Sequence, residues 1–396
     1  MKAFGVLYLF EWKKILGQGL VPAAILLGVL LLLAANISPL LGTGYYYRYD
    51  AQWGTVGRIA MPYGEVEKLR RDSLRALSGQ VLDEALMDQL KENYRDSQAG
   101  TIQWNLNAYS PFLYLNTVED RSEASAEGFY RQQAEHFQKE SISAPLTDAE
   151  LAYWQEQAAG LGSMYLDYAG GWQAMVERCG LLCQAAVLLV TAALCRFCSE
   201  EHRARTDQLV LSSEKGKTTA FWARCAAGVS FAVGIALVFS ALQMALCGAL
   251  YGMDGFSTPL QLWVEGSFSA LHVSMGQLSL ILLGLLVLAC GMAAVFVMLL
   301  SELFGTAIPA LVIPFALSAA SILELFMGNG RWMEQTASYL PFFRVSADTL
   351  QDYYLVTLGS FQLNSIQFSV VLYLLLAGLF GLLYRICHRR YQVTGR

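Results

Sequence analysis

Few side chains in this chain have the type and spacing to do chemistry. Cys195-x-x-Cys198, with His202 four residues on, has the makings of a metal or redox site. A zinc centre takes four ligands, and no fourth donor stands nearby. Free cysteine is a common buried residue, so packing is the favoured reading and no metal is expected. Gly216-Lys217-Thr218 has the tail of a phosphate-binding loop, but Leu211 stands where that loop needs its first glycine. Glu119, Asp120 and Glu123 are close enough for acid/base work, yet they stand where a helix begins, and carboxylates complement that end of a helix. His136 lies on a polar helix face and reads as solvated. His272 and His388 stand alone at membrane edges, and Glu302 sits in a tight, wet turn. Recognition of an active site needs several convergent groups, and none converge here. The chain is expected not to be an enzyme.

The elements that must position these residues are set by hydropathy. The chain is 396 residues long, 55% hydrophobic and only 15% charged, with a net charge of −5. A soluble domain carries about 25% charged residues. The composition excludes disorder and argues against a soluble enzyme, and the net negative charge leaves no footprint for nucleic acid. Six apolar runs approach the length of a bilayer span, about 20 residues. They are Ile15–Asn36, Arg178–Phe197, Ala226–Leu250, Met275–Leu300, Thr306–Met327 and Ile366–Ile386. Residues 37–174 hold about half of all the charged side chains and read as a folded domain inserted between the first two spans. The fold class expected is a mainly α polytopic membrane protein. A cytoplasmic amphipathic segment, 1–14, precedes span one (15–36), and 175–396 forms the rest of the membrane body.

Lys and Arg in short loops set orientation. They collect at the N-terminus, between spans two and three, and after span six. Both termini are therefore expected in the cytoplasm of a plasma-membrane protein, with 37–174 outside. The N-terminal run is too long for a cleaved signal peptide. All eight cysteines fall in or beside the membrane segments, so the exported domain must hold by packing.

That domain reads as mainly helical. Pro62–Leu77, Val81–Tyr94 and Glu123–Phe137 have helical periodicity, and Thr147 with Glu150 has capping-box spacing. Tyr45–Trp53 and Trp104–Tyr114 are aromatic stretches, readable as an interfacial belt, core or ligand surface.

The cytoplasmic loop 198–224 carries the most specific pattern. A charged start, the apolar stripe Leu209-Val210-Leu211 and a basic end fit a helix on the membrane surface, or simply a positively charged inner loop. Phe197, Glu200, Thr206, Leu209–Leu211, Ser212, Ser213 and Lys217 resemble the loop of type-2 ABC exporter permeases: Phe-x-x-Glu, Gly-Thr, an apolar triplet, paired hydroxyls and a basic residue. Arg205 stands where that family has Gly, and Glu214 where Pro is common. The resemblance extends to the layout of six spans and a partly apolar last outer loop, 328–365. A large outer domain between the first two spans marks a subset of the family.

The resemblance implies the permease subunit of an ATP-driven exporter. Its partners would be a second permease chain, the same or related, and separate ABC ATPase subunits carrying ATP and Mg. These would dock under the loop, with Phe197, Glu200, Glu201, Arg203, Thr206, Leu209, Leu211 and Lys217 as coupling residues. The chain itself has no ATPase motif; Leu77-Ser78-Gly79-Gln80 echoes an ABC signature but lacks a glycine. No cofactor is expected within it.

Inside the spans, Glu324, Pro309, Pro314, Gln184 and Gln243 are candidates for the pathway or its hinges. Glu324 can equally snorkel to the outer surface. The sparse polar lining suits an amphipathic, lipid-like or peptide substrate. The alternative is a membrane sensor or immunity protein whose outer domain binds a ligand without transport. A sensor would normally need a cytoplasmic output domain, and only a short tail follows the last span.

Overall fold

A segment inside a bilayer must satisfy its own backbone hydrogen bonds, and a helix does so. The computed structural model describes residues 2–50, 55–95, 106–118, 120–136, 146–197, 216–322, 330–359 and 361–390. It is mainly helical, and five helices are long and apolar enough to cross a membrane. That is the make-up of a polytopic membrane protein.

Helix α1 (Lys2–Gly17) and α2 (Leu20–Leu41) open the chain. Gly17 and Gly19 flank the break between them, and glycine is a poor helix former. The first membrane helix therefore starts at Leu20 rather than Ile15. Strands β1 (Thr43–Asp50) and β2 (Thr55–Pro62) then pair antiparallel, with Thr43 opposite Pro62. The aromatic stretch after the first span thus begins as a strand, a form the helical reading of the domain does not include. Tyrosine suits the pleated surface of a strand, and the Arg58 guanidinium lies 3.9 Å from the Tyr45 ring centre. Among the described residues, helices α3 (Tyr63–Arg75), α4 (Glu84–Arg95), α5 (Ser110–Thr117), α6 (Ala126–Glu135) and α7 (Asp148–Ala159) follow. The Thr147–Glu150 capping box at the start of α7 forms as its spacing predicts.

Next come α8 (Gly170–Leu194), α9 (Phe221–Tyr251), α10 (Met275–Phe304) and α11 (Ala307–Ile322). Helix α8 starts eight residues before the expected Arg178, because charge ends an apolar run without ending a helix. It is the most buried of the five long helices and packs against α2, α9, α10 and α11. At its start Gly171 meets the backbone of Gly252, where α9 ends; a Cβ on Gly171 would overlap the Gly252 carbonyl oxygen. Helix α11 is apolar but has 16 residues, short of a full span; 323–329 lie outside the described residues. Short helices α12 (Arg331–Ser338) and α13 (Pro341–Arg344) and a hairpin, β3 (Leu355–Leu358) with β4 (Phe361–Asn364), lead into α14 (Ser365–Arg390). Leu26, Leu30, Leu237, Leu375 and Leu382 stay exposed on the outer helix faces, as lipid contact requires.

One apolar cluster fills the bundle. A second, around Leu74, Leu86, Phe112, Phe129 and Leu166, fills a cap at one end of it. The cap draws on three stretches of chain. Leu262, from the segment between α9 and α10, belongs to the second cluster. Ser110 Oγ donates to the Gln261 carbonyl at 2.6 Å, and Val264 N to the Ala108 carbonyl at 3.2 Å. A smaller cluster joins Trp154 of α7 to Ala270, Tyr353 and Leu355.

Candidate functional site

Helices α11 and α14 both rest on α10, and a hollow of 170 Å³ remains among them, α8 and α13. Its walls include Met292 and Phe296 of α10, Pro314 and Leu317 of α11, and Leu376 and Phe380 of α14. Leu340-Pro341-Phe342 closes it toward the cap. The lining is almost wholly apolar. Ser318, Ser321 and Gln184 are its polar members; Gln184 of α8 is 7% exposed, and its Nε2 has no hydrogen-bond partner among the described residues. An unpaired buried amide is costly, about 1–3 kcal/mol, which marks the spot as one where a polar group is missing.

Two of the pathway residues read from sequence, Gln184 and Pro314, thus share one hollow. Pro314 lies inside α11 and interrupts its ladder. Pro309 falls in the first turn of α11, where the absent N–H has no partner to lose, so it breaks nothing; this corrects the expectation of two hinges. Gln243 stands elsewhere. It exchanges two hydrogen bonds with Asn36 of α2, at 2.8 and 3.2 Å, and locks α2 to α9. Thr191 and Ser279 bond back to their own helices at Val187 and Met275. Glu324 lies outside the described residues.

At the opposite end of the bundle, α1 grips both roots of the 198–224 segment. Phe197 is buried, with Lys14 Nζ 5.4 Å from its ring centre. Arg224, 4% exposed, faces Glu11 at 3.9 Å, and Lys14 bonds the same carboxylate at 3.0 Å. Tyr8 and Trp12 meet Ser230 of α9 at 2.8 and 3.0 Å. Helix α1 is therefore a packed strut. Glu200, Glu201, Arg203, Thr206, Leu209 and Leu211 lie outside the described residues. So does the Lys217 side chain, whose backbone enters the turn Gly216–Ala220 leading into α9.

Three further corrections concern side chains expected to be solvated, alone or at the mouth of a span. Glu302 and His388 form one buried pair, with His388 Nδ1 2.8 Å from a Glu302 carboxylate oxygen. Phe221 and Tyr384 pack beside the imidazole. His136 is stacked on Phe268 at 4.2 Å, and burial pushes its pKa down. Asp120 stands where its sequence placed it, at the start of the helical turn Arg121–Glu123, and accepts from the Ser122 hydroxyl and backbone N–H, which hold its carboxyl below the ordinary range. Arg178, expected at the mouth of a span, lies within α8 and donates to the Ala35 and Ala174 carbonyls and to the Tyr251 hydroxyl. The Glu302–His388 pair, the His136–Phe268 stack and the Arg178 bonds to Ala35 and Tyr251 join residues far apart in the chain, and no local spacing signals them.

Among the described residues no group of three His, Cys, Asp or Glu could hold a metal, and no disulfide joins the seven described cysteines to one another. Cys198 and His202 lie outside them. A scan against protein-family models and searches of the curated proteins and of the solved structures find no match to this chain.

Proposed function

We propose that this chain is the permease subunit of an ATP-driven exporter of the type-2 ABC class. It would have six spans, an exported domain at 37–174, and both termini in the cytoplasm at the plasma membrane. The observation that carries the reading is the apolar hollow beside α8, with a single unpaired amide at Gln184. A lipid-like or peptide amphipath has the complementary chemistry: an apolar body for the walls and one hydrogen-bond acceptor for Nε2. Separate ATPase subunits, holding ATP and Mg, dock under 198–217 and α1, and a second permease chain completes the pathway.

The packing of α1 supports the coupling half of the reading. A push on the 198–217 segment reaches α8 through Phe197 and α9 through Arg224, and α1 braces both roots. The Pro314 break lets the α11 wall yield while α8 holds still. The sensor or immunity reading keeps the cap as a ligand domain but needs no ATPase.

The test is isolation of the full chain with its ATPase, followed by ATP hydrolysis in lipid vesicles. The native chain is expected to alter the ATPase rate. Leu209→Asp, which puts a charge on the apolar stripe, and Glu200→Lys are expected to abolish that effect without removing the chain from the membrane. Equal rates with and without the chain would overturn the proposal.

A further inference from the structure

Two hollows flank the segment Leu161–Met164 on the cap. One, of 350 Å³, lies between α6, the end of α7 and Ser267–Ser269. The other, of 260 Å³, lies against Ser257–Gln261 and Leu271–Ser274, and Leu161, Gly162 and Ser163 border both. Among the described residues, neither lining includes a Lys, Arg, Asp or Glu.

The segment is the free continuation of a strand pair. Leu82 N donates to the Met164 carbonyl at 2.7 Å and Leu166 N to the Gln80 carbonyl at 2.8 Å, around an antiparallel bridge between Val81 and Tyr165. One step earlier the pairing stops. Gly162 and Ser163 are exposed, and their backbone groups bond to nothing among the described residues. Gln133, on the wall of the larger hollow, is 8% exposed, and its Nε2 has no partner among the described residues. Phe268 borders the same hollow, one face covered by the His136 ring.

We propose that this cleft binds an extended, uncharged peptide segment, added as a strand along Gly162 and Ser163. An unpaired strand supplies main-chain hydrogen bonds, and hollows beside it take alternate side chains. The Gln133 amide donates to a peptide carbonyl. The absence of charge in both linings favours apolar or hydroxyl side chains. A sugar would stack on an open aromatic face, and His136 occupies one face of Phe268. The cleft joins 161–164 to the segment between α9 and α10, so its occupant links the cap to two bundle helices. The inference stands independently of transport.

Amide hydrogen exchange on the full-length chain in detergent tests it. The probe is an equimolar mixture of end-blocked hexapeptides built from Ala, Val, Leu and Ser. The mixture is expected to slow exchange at 161–164 severalfold. Gln133→Leu is expected to weaken that protection severalfold, and the same peptides N-methylated along the backbone are expected to give none. The N-methylated comparison uses the native chain, so it holds even if the variant does not fold. No protection by the peptides, equal protection by their N-methylated forms, or equal protection by maltotetraose would overturn the proposal.

Discussion

Helices in the bundle close their own hydrogen bonds, whereas the cap is closed by side chains that reach from one stretch of chain to another. In the bundle, α8 is wrapped by helices whose apolar faces do the joining, with polar links such as Asn36 with Gln243 set among them. In the cap, Glu150 and Trp154, one turn apart on α7, both reach the strand region: Glu150 accepts from Leu355 N at 3.1 Å and Trp154 Nε1 donates to the Tyr353 carbonyl at 2.7 Å. Arg344, fully buried beside the cap, donates to Ser338, Thr349 and Asp352. The difference teaches where each region is vulnerable. The bundle should tolerate loss of a polar link, and the cap should not.

The largest effect is expected at Arg344. Arg344→Met leaves Asp352 without its cation, and breaking a buried pair from one side costs about 3–5 kcal/mol. Thermal unfolding of the purified chain should move strongly downward. Replacing both partners, Arg344→Met with Asp352→Leu, should recover much of the loss, because no uncompensated charge remains. A small effect for the single variant would break the comparison.

Acid should loosen the cap next. Burial alone would raise the Glu150 carboxyl, but the hydrogen bonds from Thr147, Leu355 and Arg331 outweigh it and hold the group below its ordinary value of 4.5. A depressed carboxyl stabilises the fold above that value, and the contribution is lost as pH falls through the folded-state value. Trp154 fluorescence should therefore report undocking of α7 below about pH 4.5. Glu150→Gln should remove that pH dependence and weaken docking at neutral pH.

The Asn36–Gln243 pair sharpens the other side of the comparison. Interhelical hydrogen bonds in membranes are worth about 0.6 kcal/mol on average and rarely above 1.7. Asn36→Leu should cost about 1 kcal/mol, and Asn36→Leu with Gln243→Leu less than the sum of the two, since neither amide is then left unpaired. Unfolding curves for the double-mutant cycle decide it. The smallest stability change is expected at Gln184→Leu. It removes an amide that already lacks a partner among the described residues, and it should leave folding intact or slightly improved while weakening the proposed transport.

What could be read from sequence follows the same division. Hydropathy locates the long helices because a span must be apolar along its whole length. It misplaces their ends, as at Gly170, since Glu177 and Arg178 can ride on a helix that continues past the apolar run. The capping box at Thr147 is legible because its partners are three residues apart. The Glu302–His388 pair is not, because its partners are 86 residues apart. The β1–β2 hairpin was hidden by tyrosines that serve an interface as well as a strand. Of the hollow beside α8, the sequence marks Gln184 and Pro314 as mid-span oddities; only packing brings them together.

ATP-driven movement in inverted membrane vesicles tests the central claim most directly. Vesicles containing the chain and its ATPase should take up a fluorescent amphipath when ATP is supplied, and Gln184→Leu should slow uptake while leaving the complex assembled. Uptake that is the same with and without ATP, in vesicles where the ATPase is bound and active, would contradict the account.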